Sequence, residues 1–325
     1  MRHSGGGGYS APRLAIRLAA LALCVACWQC SKPLTPSPGG PSNPTGPTSP
    51  DPSIPIPGPV VFAGAGDIAI EGGNSEATAK LLDTIGGDVF ALGDIAYPNG
   101  TREDFRGPFD RTWGRHVGRM HPAPGNHEYN TPGAAGYFGY FGGIAGPPGL
   151  GYYSFNLGAW HVISLNSNAQ ERGSGVDVSP NSPQGQWLQA DLNLHPAKCT
   201  LAFWHHPLFS SGQNRPSPWM RELFRVLWNA NADVVLTGHD HLYERFGPQT
   251  ADGAPDPVRG IRQFVVGTGG VPANYQFVTS QPNSEQRIRM ENGVLKLTLL
   301  ADSYQWEFIT TPNGSVRDSG QATCH

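Results

Sequence analysis

The chain has 325 residues, of which 14 % are charged, and a formal net charge of −3. That balance excludes a broad basic surface for nucleic acid. Proline (31) and glycine (43) are used far above average, with much of the excess before residue 60, and the remainder is long enough for one large α/β domain with its own core.

In chain order, residues 1–30 read as a signal segment. Arg2, Arg13 and Arg17 supply positive charge ahead of the apolar run LAALALCVA at 18–26. The run is far shorter than the roughly 20 residues of a spanning helix and fits the apolar region of a signal peptide. Val25-Ala26-Cys27 sets a small residue directly before a cysteine. This resembles a bacterial lipoprotein signal, in which the cysteine is lipidated and tethers the protein to a membrane. Cys24 stands where an aliphatic residue is usual, and Cys30 is a second candidate. Plain secretion and an uncleaved anchor are the alternatives. Residues 31–58 are a Pro/Ser/Gly/Thr tract, expected to be an extended tether, and residues 59–325 form the folded domain. Its two cysteines, Cys199 and Cys324, either pair in an oxidising compartment or stay as buried thiols.

The run VVFAGA (60–65) has strand length and ends in Gly66-Asp67. Asn74 or Ser75 can cap a helix through Ala77, Leu81, Leu82 and Ile85, stopped by Gly86-Gly87. VFAL (89–92) is a second buried strand ending in Gly93-Asp94, which completes a β-α-β unit. Residues 120–125 lead to Asn126. Residues 152–157 and 160–166 suggest a hairpin turning at Gly158-Ala159. A helix follows at 184–194, a strand at 199–204 ending at His205, a helix at 219–229, and a strand at 232–236 ending at Gly238-His239. The last third is strand-rich, with candidates at 263–266, 294–300 and 306–311 and a turn at Pro312-Asn313-Gly314.

Four short apolar strands thus end in a polar residue able to bind metal: Asp67, Asp94, His205 and His239. Asn126 follows a fifth segment in the same way. Ligands in open α/β sheets gather beyond the carboxyl ends of the strands, so five distant parts of the chain can converge on one rim. Singly, Gly-Asp-Ile-Ala (66–69), Gly-Asp-Ile-Ala-Tyr (93–97), Gly-Asn-His-Glu (125–128), His-His-Pro (205–207) and Gly-His-Asp-His (238–241) are weak signals. A Gly-Asp at a strand end is commonly a turn. In His239-Asp240-His241, alternate residues of an extended segment would point the same way. Together and in order, the five segments are a strong signal.

The set resembles the calcineurin-like metallophosphoesterase superfamily. Tyr97 and the Tyr243-Glu244-Arg245 tail resemble its purple acid phosphatase branch. The resemblance spans roughly 60–246 and implies an α/β (α+β) fold: a four-layer β-sandwich of two mixed sheets flanked by helices. It also implies two metal sites, one from Asp67, Tyr97, His241 and bridging Asp94, the other from Asn126, His205, His239 and the same Asp94. A phenolate ligand calls for a strongly acidifying, oxygen-preferring ion, plausibly Fe(III). The His-rich second site suits Zn, Mn or Fe(II). Ala69 stands where much of the superfamily has a histidine ligand, which accords with Tyr97 as the substitute.

The implied activity is hydrolysis of small phosphate esters outside the cytoplasm. A metal-bound hydroxide attacks phosphorus, and His127 either protonates the leaving group or only orients Asn126. Asp240 and Glu128 are expected to be partners of ligands rather than ligands. His206 either contacts substrate or fills the rim. His116, His121, His161 and His195 are expected to be ordinary surface or core residues, and the aromatic cluster at 137–141 with Tyr152 and Tyr153 to be packing. A phosphomonoesterase is the preferred reading. A phosphodiesterase or nucleotide hydrolase on the same centre, and a catalytically silent surface-binding domain, are the alternatives. The motifs do not separate the first two, because substrate choice lies in the loops at 100–120, 130–151, 168–183 and 247–260.

Overall fold

The computed structural model describes residues 58–171 and 173–325. The expected signal segment, Cys27, Cys30 and nearly all of the tether lie outside the described residues. Thirteen strands are described: β1 (Val60–Ala65), β2 (Asp88–Leu92), β3 (Met120–Ala123), β4 (Tyr153–Leu157), β5 (Trp160–Ser164), β6 (Cys199–Phe203), β7 (Val234–Thr237), β8 (Tyr243–Phe246), β9 (Arg262–Val266), β10 (Ser284–Ile288), β11 (Gly293–Leu299), β12 (Ser303–Thr310) and β13 (Ser315–Thr323). They form a six-stranded sheet of order β13-β12-β11-β1-β2-β3 and a seven-stranded sheet of order β10-β8-β9-β7-β6-β5-β4. Both sheets are mixed. β1, β2 and β3 run parallel in the first, and β5, β6, β7 and β9 in the second.

The parallel strands are covered on both faces, which is why β1 and most of β2, β6 and β7 read as apolar runs. Between the sheets, Phe62 and Phe90 pack against Phe203, Val162 and Leu236. The Phe62 and Phe203 rings meet edge-on with centroids 6.0 Å apart. Of the helices α1 (Ser75–Thr84), α2 (Arg102–Asp104), α3 (Asn126–Tyr129), α4 (Ala135–Phe141), α5 (Pro183–Leu194) and α6 (Arg221–Asn229), α1 buries Ala79 and Leu82 in the same core as the first sheet. α5 and α6 bury Leu188, Leu223, Phe224 and Leu227 in a second core with Ala202 and Val235 of the second sheet. The layers are therefore helix, sheet, sheet, helix, as the resemblance implied.

Two local expectations change. Asn74 precedes α1 but does not cap it with its side chain. Its amide instead donates to Asn292 Oδ1 at 2.8 Å. β8, β10 and β13 are strands that the sequence pattern did not signal. Cys199 and Cys324 form a disulfide across 125 residues, joining the start of β6 to the C-terminus. Beside it, Asp233 accepts from the backbone N–H of Thr200 and of His325. Among the described residues, no helix is long and apolar enough to cross a membrane.

Candidate metal centre

The carboxyl ends of β1, β2 and β3 in one sheet and of β6 and β7 in the other deliver the seven expected ligands. At the crossings the backbone is tight. Asp67, Asp94 and His239 adopt left-handed φ values of 59°, 49° and 72°, a conformation that costs energy for a residue with a side chain. His239, Asp240 and His241 form a bend rather than the extended segment expected. Asp240 N–H donates to Gly238 O and Leu242 N–H to Asp240 O, and this folding turns both histidines inward. The glycines make room. A Cβ on Gly93 would lie 2.7 Å from the His205 ring, and one on Gly125 only 2.3 Å from Asp94 Oδ1.

The donor atoms fall into two groups that share one oxygen. In the first, the Tyr97 hydroxyl lies 3.0 Å from Asp67 Oδ1, 3.0 Å from Asp94 Oδ2 and 3.3 Å from His241 Nε2, and His241 Nε2 lies 3.2 Å from Asp67 Oδ1. In the second, His205 Nε2 lies 3.3 Å from the same Asp94 Oδ2. It is 3.0 Å from Asn126 Oδ1 and 3.2 Å from His239 Nδ1. His205 Nδ1 faces Leu92 O at 2.7 Å, so it carries the proton and leaves the Nε2 lone pair turned toward the others.

Each group sets several acceptor atoms about one point with too few protons to satisfy them. One phenolic proton faces two carboxylate oxygens, and the lone pair of His205 meets two oxygens. A cation in each group removes that conflict, and imidazole, carboxylate, amide and phenolate are suitable donors. Without one, protons must serve. Burial lowers the His205 pKa, but the charge and hydrogen bond of Asp94 outweigh it and carry the group up to about 9. Burial, then Asp67 and Asp94, hold the Tyr97 hydroxyl well above its ordinary pKa. A bound cation reverses the sign of both effects.

The surrounding groups fix the loops. Glu128 is fully buried and accepts from the N–H groups of Asp94 (2.9 Å), Ile95 (2.8 Å), Ala96 (3.2 Å) and Gly125 (2.7 Å). It ties the turn after β2 to the turn after β3. Burial, then the charge of Asp94, push its pKa up to about 7 against the pull of its N–H donors. Asp240 accepts from Ser210 Oγ and from Asn214 N–H, and burial raises it to about 6. Neither Glu128 nor Asp240 joins the two donor groups.

His127 donates its backbone N–H to Asp94 Oδ1 at 2.8 Å. Its Nδ1 faces Pro98 O at 2.6 Å, so Nδ1 carries a proton and Nε2 turns toward the centre, 3.8 Å from Asp94 Oδ2. The ring remains 30 % exposed. His206 is buried with Nδ1 2.9 Å from Ser167 Oγ, and its ring centroid is 4.5 Å from that of His239. Glu171, from the 168–183 loop, approaches it at 3.9 Å. Ala69 is fully buried, and its carbonyl accepts from Tyr97 N–H at 2.9 Å. Phe209 packs edge-on to Phe224. Tyr137 is buried and bonds Pro122 O, and Tyr140 stacks on Phe105, so the aromatic cluster is packing.

Sequence reasoning missed Tyr275 and Asn214. The Tyr275 ring stacks on His241 with centroids 4.0 Å apart and planes inclined by 14°. Asn214 donates its side-chain amide to His239 O at 2.9 Å. Both come from irregular segments with no periodic pattern, and only the tertiary fold brings them to the ligands.

A calcineurin-like phosphoesterase family model matches residues 60–243. Purple acid phosphatase 22 of Arabidopsis thaliana is 31 % identical over 235 residues, covering 65 % of this chain and 50 % of that protein. Probable purple acid phosphatase 20 of the same plant is 32 % identical over 216 residues, covering 58 % and 47 %. The purple acid phosphatase PPD1 from yellow lupin (Lupinus luteus) seeds has a similar fold, with a TM-score of 0.65 at 19 % identity over 82 % of this chain and 54 % of that one. The chain spans about half the length of these curated relatives. With the family model covering more than half of its length, the chain belongs to the calcineurin-like phosphoesterases.

Proposed function

We propose that the protein is a binuclear metal-dependent phosphoric ester hydrolase acting on small phosphomonoesters outside the cytoplasm. The observation that carries this reading is Asp94 Oδ2, which lies between the Tyr97 hydroxyl and His205 Nε2 at 3.0 Å and 3.3 Å. One carboxylate oxygen shared by two donor groups can bridge a pair of metal ions.

In this reading Asp67, Tyr97, His241 and Asp94 hold one ion and Asn126, His205, His239 and Asp94 the other, with Fe(III) at the first and Zn, Mn or Fe(II) at the second. When bound, the pair supplies a nucleophile near neutral pH and charge for the phosphate oxygens. The chain's own contribution is placement. Gly93 and Gly125 let the ligand loops approach, and Glu128 locks two of those loops together. His127 turns Nε2 toward the centre and is partly open to solvent, so it can give a proton to the leaving alkoxide and recover it from water. The disulfide accords with an oxidising compartment, and a lipid on Cys27 or Cys30 would hold the domain at a membrane through the tether.

Aryl phosphate and bis-aryl phosphate hydrolysis, measured side by side on metal-loaded protein, test the reading. The monoester is expected to be the faster substrate. A faster diester would replace monoesterase by diesterase, and no turnover of either would sink the enzymatic reading. With iron bound, Tyr97→Phe should abolish the visible absorbance of an iron–phenolate bond, and an unchanged spectrum would remove Tyr97 from the ligands.

A further inference from the structure

The rim does not account for a second group of ligating side chains. His161 is the second residue of β5 and pairs with Asn156 of β4 and Thr200 of β6. It therefore lies toward the amino end of the parallel strands, whereas the candidate centre lies beyond their carboxyl ends. Asp191, on α5, and His195, just after it, complete the group. His161 Nε2 is 2.8 Å from Asp191 Oδ2, and His195 Nδ1 is 3.0 Å from Asp191 Oδ1. One nitrogen of each histidine and one carboxylate oxygen all fall within 4.8 Å of one another. The two imidazoles lie nearly parallel, 22° apart, with centroids separated by 5.1 Å.

We infer that His161, Asp191 and His195 form a second metal site, independent of the catalytic rim, for a zinc-class divalent ion. The side chains behind the ligands are arranged as such a site needs. His161 Nδ1 faces Asn156 Oδ1 at 3.2 Å, and Ser154 Oγ donates to Asp191 Oδ1 at 2.8 Å. A ligating imidazole usually donates its other N–H to an oxygen, and a ligating carboxylate is usually hydrogen-bonded as well. With its proton on Nδ1, buried His161 turns the Nε2 lone pair onto a carboxylate oxygen. A metal ion between the two atoms satisfies that arrangement, whereas the other tautomer, with its proton on Nε2, makes an ordinary hydrogen bond to Asp191.

The spacing is close to that of a coordination sphere. Ligands held about 2.0–2.2 Å from a tetrahedral zinc lie about 3.3 Å from one another. The two contacts go to different oxygens of Asp191, so the carboxylate would bind the ion through both oxygens or turn to present one, with the histidine nitrogens drawing together. His195 Nδ1 now also faces the Asp191 carbonyl at 3.0 Å and would give up that bond. Two imidazoles with a single carboxylate suit zinc or nickel and not calcium or magnesium, which require more oxygen donors. His161 and Asp191 are 2 % and 5 % exposed and His195 48 %. The site would thus be closed on the protein side and open to water at its remaining position. An ion there would fasten the end of α5 to β5.

The test uses the full chain, dialysed against micromolar zinc and analysed for zinc per folded chain. Ions at the catalytic rim are common to wild type and variant and cancel in the difference. His195→Ala, at a half-exposed helix end, is expected to hold one zinc fewer than wild type with unchanged aryl phosphate hydrolysis. Asp191→Asn should lose the same ion. Zinc should raise the melting temperature of wild type by more than that of His195→Ala. Equal zinc contents in wild type and His195→Ala would overturn the site and leave only a His161–Asp191 hydrogen bond in its place. That result would not touch the proposed activity, whose metals lie elsewhere.

Discussion

At the scale of single residues, the candidate centre concentrates conformations and charges that would be costly anywhere else. Three of its seven donor residues sit in left-handed backbone, and Asp67, Asp94 and His205 are almost wholly buried. Something must hold them, and Glu128 is the main support for Asp94 and Asn126. Its carboxylate satisfies four backbone N–H groups from two loops. Glu128→Gln keeps the volume but turns an NH2 group toward N–H donors, so about half of these bonds fail. Loss of such a supporting group typically weakens metal affinity by about 10–100-fold. Metal titration and kcat of Glu128→Gln should both show a loss in that range. Full retention of both would mean that the loops hold their shape unaided. Asp67, Asp94, Asn126 and His239 were legible in the sequence because each follows a glycine at the end of an apolar run, and His205 because it ends such a run directly. The role of Glu128 was legible only as adjacency to Asn126, since its four partners include residues some thirty positions away.

At the scale of elements, the strands that carry the site were easiest to read. β1, β2, β6 and β7 are buried on both faces and therefore mostly apolar. β11 and β12 show a two-residue rhythm, with Leu295, Leu297, Trp306 and Phe308 buried. β10 and β13 escape such a reading because they are sheet edges, where polar and charged residues discourage further pairing. β13 nevertheless has a specific inward-facing group. Asp318 accepts from Tyr243 Oη and Arg245 Nε at 2.7 Å and from Trp306 Nε1 at 3.2 Å. The Tyr243-Glu244-Arg245 tail, which the sequence offered only as a mark of its branch, is thus a polar clamp joining β8 of one sheet to β13 of the other. Glu244 extends the clamp to the loop after His205 by accepting from Ser211 N–H and Oγ. Asp318→Ala would leave a phenol and an indole N–H without their acceptor, and the largely buried Arg245 guanidinium with Glu285 alone. Breaking a buried pair from one side costs about 3–5 kcal/mol, and because Glu285 stays with Arg245, urea unfolding of this variant should shift by about the lower end of that range. Asp318→Asn, which keeps an acceptor, should lose less. A loss below about 1 kcal/mol for the alanine variant would mean that the clamp contributes no more than a surface ion pair.

At the scale of the whole molecule, the packing that supports the rim also sets how the fold responds to acid. Two histidines of the first sheet's surroundings are held in the neutral form. Arg119 donates to His116 Nδ1 at 3.1 Å, and His116 Nε2 faces Ala79 O at 3.1 Å. With Arg119 donating to Nδ1, the ring's own proton sits on Nε2, facing Ala79 O and the Asp83 carboxylate at 3.3 Å. His121 stacks on Phe155 with centroids 3.8 Å apart and bonds Asp88. Burial is the leading cause that lowers both pKa values. Asp88 opposes it at His121, while at His116 the Ala79 carbonyl and Asp83 oppose it and Arg119 and Arg115 reinforce it. A histidine whose folded pKa lies below its unfolded value binds fewer protons folded than unfolded as pH falls through about 6.5. The stability from these two groups is therefore fully present above that pH and is lost progressively as pH drops toward the folded values. The urea midpoint of wild type should fall between pH 7.5 and pH 5.0 by more than that of a His116→Gln, His121→Gln double variant. Taking the difference between the two proteins removes the carboxylates of the metal loops, which titrate in both. An equal fall in both would locate the acid sensitivity outside these histidines. If the expected gap appears, part of the fold's loss of stability in acid comes from the protonation of two side chains in the scaffold, neither of which is a ligand in the proposed centre.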